Sequence, residues 1–453
     1  MLKKIIFLIL LVISTLQLNA QYTDDPNYKQ NIPSENSLLS RYGIGNLNPQ
    51  YFASNSGMGG LTAAYRDKFH FNPFNPASLP SLRTTAYDVG LFAKNTTVKS
   101  NGGNSSSWSG NLNNLALAFP TYSVINEVLD RKPRVFRWGM GMSLMPYSTV
   151  GYNINTVEQT ENKNDSSNVT NYFIGSGGTY RAMIGNGFSY KGLSLGVNVG
   201  YVFGKISSLR QSILGDKLVV SYLNNFEDNY SLRGFSWNAG LQYDITLDPK
   251  KNANDKGDRK HIVIGAYGNP STSFTTKSNR NYTRVFSGVS DSITSFTDKA
   301  GAGVLPSEYT VGIMYENGLL FKGGIEYKAT NWSEYSNTAK SETLLDANQL
   351  SAGVEFIVDK NKLKTEEEKM RWRIGFHTGK DPRSISGEQV TNTAGSMGVC
   401  LPLRVGRGQQ ISYLNVGLEY GQLKTKIVSE NYLRINLGFT LNDNTWFLKK
   451  KFQ

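Results

Sequence analysis

The sequence predicts an all-β protein: a transmembrane antiparallel β-barrel of about fourteen strands with an N-terminal plug, or hatch, segment. Segments in which apolar and polar side chains alternate recur along the chain as far as its C-terminus. An export signal precedes them, and a segment rich in glycine and proline lies between the signal and the first strand. Because alternate residues of such a barrel face lipid and lumen, these observations together favour a barrel over a soluble sheet.

The clearest strand is LSLGVNVGYVFG, residues 193–204. Its odd-numbered positions are all leucine, valine, tyrosine or phenylalanine, whereas Val202 is the one apolar residue at the even-numbered positions. A strand turns successive side chains to opposite faces, so this segment has one oily face and one small, polar face. Comparable segments predict strands near residues 83–93, 112–120, 135–157, 170–190, 193–210, 229–246, 260–275, 306–316, 319–328, 347–359, 370–379, 389–401, 411–421 and 432–441.

The connections between these strands differ in length. KGL at 191–193 and ENGL at 316–319 are predicted to be tight periplasmic turns, since Asn-Gly is a strong hairpin signal. The longer polar stretches are predicted to be extracellular loops, at residues 94–111, 158–171, 210–228, 279–305 and 329–346.

Residues 1–20 have the features of a secretory signal peptide. Lys3 and Lys4 precede a short apolar run at residues 5–13, and Ala20 ends a plausible cleavage site. The run is shorter than the roughly 20 apolar residues of a membrane-spanning helix. An uncleaved anchor is the alternative. The remaining chain is divided into an extension with the plug at 21–80, the barrel at 81–442 and a basic tail at 443–453.

The composition agrees with an exported barrel. Tyrosine (25) and phenylalanine (22) are plentiful, as aromatic girdles require, and the single cysteine, Cys400, excludes an internal disulfide. The formal net charge of +13 fits nucleic acid or anionic lipid head groups. Lysine and arginine are scattered rather than clustered with aromatics in a nucleic-acid-binding module, so we expect outer-membrane lipid as a partner and no nucleic acid.

Residues 41–80 combine glycines and prolines that exclude a regular strand or a long helix with aromatic side chains that need burial, among them Tyr65 and Phe74. A compact plug inside the barrel satisfies both demands, because irregular backbone at membrane depth is tolerated where protein buries it. A periplasmic extension under the barrel is the alternative.

A family resemblance rests on the glycine-rich run Gly57, Met58, Gly59 and Gly60, the acidic Asp67, and the tripeptide Asn75, Pro76 and Ala77. This pattern resembles the N-terminal hatch of FadL-like outer-membrane barrels, the channels for long-chain fatty acids and aromatic hydrocarbons. The resemblance implies a fourteen-stranded barrel behind the hatch. In the tripeptide, asparagine is suited to bonding turn backbone, proline to setting its shape and alanine to leaving room against the wall. The resemblance continues through the barrel by strand pattern rather than by motif.

The predicted inward-facing charges are Arg181, Arg233, Asp244, Lys322, Glu326, Glu355, Arg371, Arg373, Glu419 and Arg434. Glu355 and Arg373 lie on neighbouring predicted strands and are expected to pair. Charged rings set ion preference in open pores, so one interpretation is a selectivity path. The other is a charge ladder that fills and stiffens a plugged barrel, which the plug favours.

The sequence offers little for an enzyme. His70, His261 and His377 are isolated, with no pair at metal-ligand spacing, and Cys400 is expected to be a packing residue. The glycine-rich stretch at 175–180 lacks the Lys-Ser/Thr of a phosphate loop and is predicted to be turn material. We therefore expect no enzyme activity, no cofactor and no metal.

Three functions compete for a barrel in the outer membrane of a Gram-negative bacterium. The first is a channel for uptake of hydrophobic small molecules, gated by the hatch, with a hydrophobic ligand as its partner. The second is an accessory subunit of an outer-membrane machine such as the type IX secretion system, which implies outer-membrane protein partners. The third is a general porin, which the plug argues against because a porin needs an open lumen.

Overall fold

The computed structural model describes residues 37–100, 103–122, 135–159, 168–215, 223–247, 260–286, 289–359, 361, 363–404 and 410–444. The predicted signal peptide and all but the first two residues of the predicted basic tail lie outside the described residues.

Fourteen strands form one closed antiparallel barrel. In chain order they are β1 Thr85–Ser100, β2 Gly103–Pro120, β3 Phe136–Gln159, β4 Asn168–Tyr190, β5 Leu193–Gly215, β6 Leu223–Thr246, β7 Lys260–Asn269 with Thr272–Phe286, β8 Val289–Leu305 with Glu308–Asn317, β9 Phe321–Thr330, β10 Ala347–Ile357, β11 Arg371–Ile385, β12 Glu388–Arg404, β13 Ile411–Lys424 and β14 Ser429–Asp443. The last strand pairs with the first, which closes the barrel. The predicted all-β antiparallel barrel and its strand number are confirmed, whereas the plug role of the N-terminal segment stays a prediction.

Strands β7 and β8 are each interrupted once, at the same level of the sheet. Pro270 lies in the break of β7 and Pro306 in that of β8, and the flanking residues Leu305 and Thr272 pair with each other. Proline has no N–H to donate to a ladder, so each strand is broken where its proline lies.

The helices of the described residues are short. They are the 3₁₀ turns Leu38–Arg41, Pro76–Ser81, Trp332–Glu334 and Glu366–Glu368 and the α-helical turn Ala53–Ser56. Among the described residues, no helix has the length and apolar character needed to cross a membrane. Two-residue strands at Asn46–Leu47 and Ser336–Asn337 pair with β3 and β8, respectively.

Several polar stretches predicted to be loops are strand instead. Residues 94–100, 103–111, 210–215 and 223–228 continue their strands, as do most of residues 279–305. The stretch 175–180, predicted to be turn material, lies within β4. These segments do not alternate apolar and polar side chains because they are not required to face lipid, yet their backbones still pair across the sheet.

A band of exposed apolar side chains surrounds the barrel. On β5, the six odd-numbered residues from Leu193 to Phe203 are 36–58% exposed, whereas Val202 between the last two is 1% exposed. The end of the barrel with the short turns, such as Lys191–Gly192, is here called the turn end, and the opposite end the loop end. Arg233, predicted to face the lumen, faces outward, because it lies an even number of residues from the exposed Phe235.

Residues 37–84, here called the inner segment, lie against the inward faces of the strands. Phe52, Phe71 and Phe74 form edge-to-face ring pairs with centroids 6.0 and 6.1 Å apart. They share a buried cluster with barrel side chains such as Met183 and Tyr267. The barrel wall therefore covers the aromatic side chains that the sequence predicts to be buried.

Candidate functional site

The barrel wall has a lateral separation between β2 and β3. The two strands pair only between residues 115–120 and 139–144. Residues 103–112 and 114 of β2 pair with β1 alone, and residues 145–159 of β3 pair with no described barrel strand except β4. Over this stretch no barrel strand among the described residues pairs with the second edge of β3, and residues of the inner segment pair with it instead.

A β-bulge at Asn113 marks the point where β2 leaves β3. Residue 113 has no partner in β1, because Gly90 pairs with Asn114 and Leu91 with Leu112. A bulge bends its strand and increases the local twist. The bulge thus turns β2 away from β3 two residues before the last pair of their ladder, which joins residues 115 and 144.

Buried polar side chains hold the bulge. The Asn113 amide oxygen accepts a hydrogen bond from Arg434 at 2.9 Å, and the Asn114 amide nitrogen donates to Asp88 at 2.5 Å. Asp88 also accepts from the Thr440 hydroxyl at 2.6 Å. None of these five side chains is more than 7% exposed. Their network fixes the bulge from the lumen side.

Pro146 marks the corresponding point in β3. It lies two residues beyond Leu144, which makes the last pair with β2, and the register with β4 shifts at Tyr147. Because proline has no N–H to donate to a ladder, Pro146 ends the β2–β3 pairing on the β3 strand, as the bulge does on β2.

The inner segment binds the free edge of β3. Residues 46–47 pair antiparallel with residues 148–149. The carbonyl oxygen of Gly151 accepts hydrogen bonds from the Ser37 N–H at 2.8 Å and from the Ser40 hydroxyl at 2.9 Å. The inner segment therefore occupies the position that a continuing β2 would take.

A carboxylate on β14 holds the first described residues of the inner segment. Glu430 is 1% exposed and accepts hydrogen bonds from the Ser37 hydroxyl at 2.7 Å and from the Leu39 N–H at 3.0 Å. Glu430 was not among the predicted site residues, because no sequence feature indicates which residue of β14 meets residues 37–39.

The three glycines of the hatch motif lie where larger side chains do not fit. A Cβ at Gly57 would be 2.8 Å from the backbone of Gly398, and one at Gly59 would be 2.7 Å from the carbonyl oxygen of Phe376. Gly59 and Gly60 have φ angles of +67° and +77°, which only glycine adopts readily. The motif therefore permits a tight turn directly against the barrel wall.

The Asn-Pro-Ala tripeptide starts a turn that packs on the wall. The Asn75 side chain accepts from the Ala77 N–H at 3.1 Å and donates to the Ala63 carbonyl at 2.6 Å. Pro76 is the first residue of the following 3₁₀ turn, and Ala77 is fully buried. A Cβ at Gly196 of β5 would be 2.4 Å from the Pro76 carbonyl carbon. The residues thus occupy the structural places that the tripeptide predicts; that they act as a hatch stays a prediction.

Asp67 is the centre of a buried charge cluster near the turn end. Its carboxylate forms ion pairs with Arg371 at 2.9 Å and with Lys322 at 3.2 Å, and it contacts the His70 ring at 3.0 Å. Burial raises the pKa of Asp67, but the charges of Lys322, Arg371 and His70 lower it by more, so that the pKa lies well below its usual range. Asp67 therefore joins the inner segment to β9 and β11 as a carboxylate.

Glu355 and Arg373, which the sequence predicts to pair, lie 2.6 Å apart and are at most 1% exposed. Arg371 also reaches Glu355, at 3.4 Å. Sequence reasoning missed the fact that His70 and Cys400 meet here, with a ring nitrogen 4.0 Å from the sulfur. They are 330 residues apart in the chain, and neither has a motif that indicates the other.

Apart from Arg233, which faces outward, the other predicted lumen charges also bind the inner segment or the bulge. Glu326 accepts from the backbone N–H groups of Thr62 and Ala63 at 2.6 and 2.5 Å. Glu419 accepts hydrogen bonds from Tyr432 and Tyr51. These contacts agree with the charge-ladder interpretation, because the charged groups bind protein rather than line an open pore.

The described cavities inside the barrel are small. One of about 170 Å³ lies beside residues 47–51 and is lined by Tyr147, Trp332 and His377. Another, of about 410 Å³ at the turn end, is lined by charged residues that include Arg66 and Glu316. Among the described residues, no group of histidine, cysteine, aspartate and glutamate is arranged to hold a metal ion.

A buried apolar cluster lies behind the lateral separation, towards the loop end. Val150 and Tyr152 of β3 contribute to it from the free edge itself, and Ile44 contributes from the inner segment. The remaining members come from β5 to β8 and the segment after β9; they are Val202, Ile206, Tyr230, Leu232, Phe274, Leu305, Trp332, Tyr335 and Leu344. The separation therefore leads from the outer surface towards apolar side chains.

Comparison with known proteins gave one family and several structures. A family model described as BamG matches residues 1–453, the whole chain. No curated protein sequence matches the chain.

The similar solved structures include two toluene transporters and a FadL homologue. The toluene transporter TbuX of Ralstonia pickettii is 14% identical, with a TM-score of 0.53 over 87% of this chain and 99% of that one. The toluene transporter TodX of Pseudomonas putida is 16% identical, with a TM-score of 0.52 over 89% and 100%. A FadL homologue of Pseudomonas aeruginosa is 10% identical, with a TM-score of 0.54 over 88% and 99%. At these identities the similarity establishes a FadL-like barrel fold.

Proposed function

The chain belongs to the BamG family, and we propose that this member is a channel in the outer membrane of a Gram-negative bacterium that takes up hydrophobic small molecules. The molecules enter from the membrane through the lateral separation between β2 and β3. The inner segment is the hatch that closes this route.

The observation that carries the proposal is the short β2–β3 ladder, which ends at residues 115 and 144 while both strands continue. A molecule dissolved in the membrane cannot cross a barrel wall whose strands are continuously paired, whereas it can cross where two strands separate. Behind it lie Val150 and Tyr152, which offer a hydrophobic molecule apolar contacts in place of lipid.

The similar structures support the same function. Two of those proteins, TbuX and TodX, are toluene transporters. Fold similarity at this identity does not transmit a substrate, so the ligand class rests on the apolar cluster behind the separation as well.

A disulfide between the inner segment and β3 tests the hatch. Asn46 and Thr149 are paired residues of an antiparallel ladder, so their Cα atoms have a spacing that a disulfide spans. We expect the double variant Asn46→Cys, Thr149→Cys to lose uptake of radiolabelled toluene into cells when oxidised and to regain it on reduction.

A disulfide in a continuous part of the wall is the control. Thr97 and Asn431 pair in the β14–β1 ladder, which has no separation. The variant Thr97→Cys, Asn431→Cys should transport equally well oxidised and reduced. Uptake by the oxidised Asn46–Thr149 variant at the wild-type rate would contradict the hatch, and no uptake by wild type above a barrel-free strain would contradict the channel.

A second candidate is an accessory subunit of a larger outer-membrane assembly. The observation that favours it is the length of β5 to β8, whose loop-end halves continue in the polar segments 205–215, 223–233, 272–286 and 289–305. Such a projecting sheet offers polar surface to a protein partner. Photo-crosslinking in cells from the exposed Ser292 of β8 tests it: one protein crosslinked in stoichiometric yield would support this function, and crosslinks to none would contradict it.

A further inference from the structure

Three cations project outward where the apolar band of the barrel ends. Lys205 of β5 is the next outward residue after Phe203, and Arg233 of β6 is the outward residue next to Phe235. Lys277 of β7 faces outward on the strand beside them, and all three cations are exposed. Together they are called the basic triad.

The sheet register brings the three cations together. Lys205 pairs with Ser231, and Ser231 pairs with Lys277, so the two lysines lie in one row with a single strand between them. Arg233 lies on that middle strand, one outward position nearer the apolar band. Strands are about 4.8 Å apart and diagonal neighbours about 7–8 Å apart, so three long side chains can converge on one anionic group.

Aromatic rings border the basic triad on the side of the apolar band. The rings of Tyr180 and Phe203 lie 6.1 Å apart, and those of Tyr201 and Phe235 lie 5.1 Å apart. Aromatic side chains concentrate at membrane–water interfaces, where an apolar ring body and a polar edge are both accommodated. The aromatic rings therefore mark the loop-end boundary of the lipid-facing surface.

The height of the band agrees with this boundary. Ten residues separate Leu193 from Phe203. Ten residues of strand measure about 33 Å, and a tilt of about 40° converts this into a height of about 25 Å, which is the usual apolar height of an outer-membrane barrel. Lys205 is one outward position higher and thus lies at the level of the lipid head groups.

The basic triad forms no ion pair with any carboxylate of the described residues. The partners of the three cations across the outward face are residues such as Ser231 and Thr275. The nearest carboxylate on β8, Asp298, lies at an irregularity beside Asn279, farther from the apolar band. Unpaired cations at this height fit an anionic head group.

We propose that the basic triad binds the phosphate group of an anionic lipid in the leaflet at the loop end of the barrel. Lys205 and Lys277 contact the phosphate from the two sides, and Arg233 offers its planar guanidinium from the membrane side. The aromatic rings on the side of the apolar band pack against the first part of the lipid chains. The site lies on the outer wall and does not depend on the channel function.

The test uses the full-length protein in a neutral detergent with lipid A, a phosphorylated glycolipid, as the probe. Native mass spectrometry measures the binding constant of the first lipid A molecule. We expect the triple variant Lys205→Gln, Arg233→Gln, Lys277→Gln to bind at least tenfold more weakly, because one basic residue near an anionic surface contributes roughly fivefold. Raising the ionic strength should weaken binding to the wild type and leave the triple variant nearly unchanged.

A matched variant removes the same charge at the other rim. Lys191, Lys364 and Arg404 are exposed near the turn end, and their replacement by glutamine should leave lipid A binding within twofold of wild type. Equal losses in both triple variants would show non-specific attraction and overturn the proposal, as would tight binding of the neutral lipid phosphatidylcholine. The single variant Lys205→Gln, expected to bind about fivefold more weakly, provides the same test if the triple variant fails to fold.

Discussion

Arg434 donates a hydrogen bond to the side-chain oxygen of Asn113 at 2.9 Å and thereby joins the last strand of the barrel to the bulge in β2. The bond crosses over β1, which lies between these two strands in the sheet. Arg434 is held in place by a second hydrogen bond to Asn436 at 2.9 Å and by the ring of Phe92, 4.0 Å from its guanidinium carbon. The wall separation is thus stabilised by a specific lumen contact.

Replacing Asn113 by alanine should destabilise the barrel. The change leaves the buried Arg434 without one of its acceptors, and we expect the free energy of unfolding to fall by about 2 kcal/mol. Urea unfolding followed by tryptophan fluorescence measures it. The control is Asn95→Ala, because Asn95 makes its bond to Ser106 in an exposed position at 3.3 Å; its effect should stay under about 0.5 kcal/mol. Equal effects of the two changes would refute the role of the bulge contact.

The close contact between β11 and the hatch motif can be tested with one methyl group. A Cβ at Gly375 would lie 2.0 Å from the backbone nitrogen of Gly59. We expect Gly375→Ala to cost about 1–3 kcal/mol in the free energy of unfolding and to speed amide hydrogen exchange at residues 57–60. Gly395 of β12 has open space where a Cβ would lie, so Gly395→Ala is the matched control. Unchanged exchange at residues 57–60 in Gly375→Ala would contradict the packing described.

Glu430 should control the mobility of the first described residues. Glu430→Gln keeps the shape of the side chain but removes the charge that strengthens the bonds from Ser37 and from the Leu39 N–H. We expect the Leu39 amide to exchange about tenfold faster, which corresponds to about 1.4 kcal/mol. Glu227→Gln, on the loop-end half of β6, is the control and should leave this amide unchanged. An unaltered Leu39 rate in Glu430→Gln would exclude the carboxylate as the main restraint.

The pair Asp67 and His70 predicts a particular pH dependence. Burial lowers the pKa of His70, but the adjacent Asp67 raises it by more, so the pKa in the folded protein lies above that in the unfolded chain. The stability that this raised pKa contributes is full below about pH 6.5 and is lost as the pH rises through the folded-state value. The depressed pKa of Asp67 acts in the opposite range, contributing above about pH 4 and fading as the pH falls through its folded-state value.

Urea unfolding at several pH values tests this dependence. Between pH 6 and pH 9 the wild type should lose more stability than His70→Asn, which cannot titrate there. The variant His261→Asn is the control, since it leaves the Asp67–His70 pair in place and should keep the wild-type loss attributable to His70. Parallel pH profiles for wild type and His70→Asn would show that the ring does not carry this stability.

The strand positions followed from local pattern, whereas their lengths did not. All fourteen predicted strands are present, but β8 begins at Val289 rather than near residue 306. The first part of that strand, VSDSITSFTDKAGAG, is polar on both faces and carries no two-residue alternation. A segment that contacts water on both faces becomes a strand because the neighbouring strand pairs with it. The composition of the segment alone does not reveal that pairing.

The sequence predicted that the lumen carries charged side chains, but it did not predict most of their contacts. The alternation placed Glu355 and Arg373 on the inner face of adjacent strands, and their pairing followed from adjacency. Arg233 was misassigned because a charge was expected to face inward, although the parity of its strand points it outward. Beyond the lipid-facing band the outer face of a barrel contacts water, so a charged residue there need not face the lumen.

The sequence by itself determined the barrel class, the strand number and the buried inner segment's motifs, because a two-residue period and turn-forming residues are local properties of the chain. Only the tertiary structure decided where the wall separates, which side chains bind the inner segment and how Lys205, Arg233 and Lys277 come together. Those features depend on the register between strands and on pairs such as Ser37 with Glu430, 393 residues apart in the chain. A single sequence specifies such contacts only through the folded barrel.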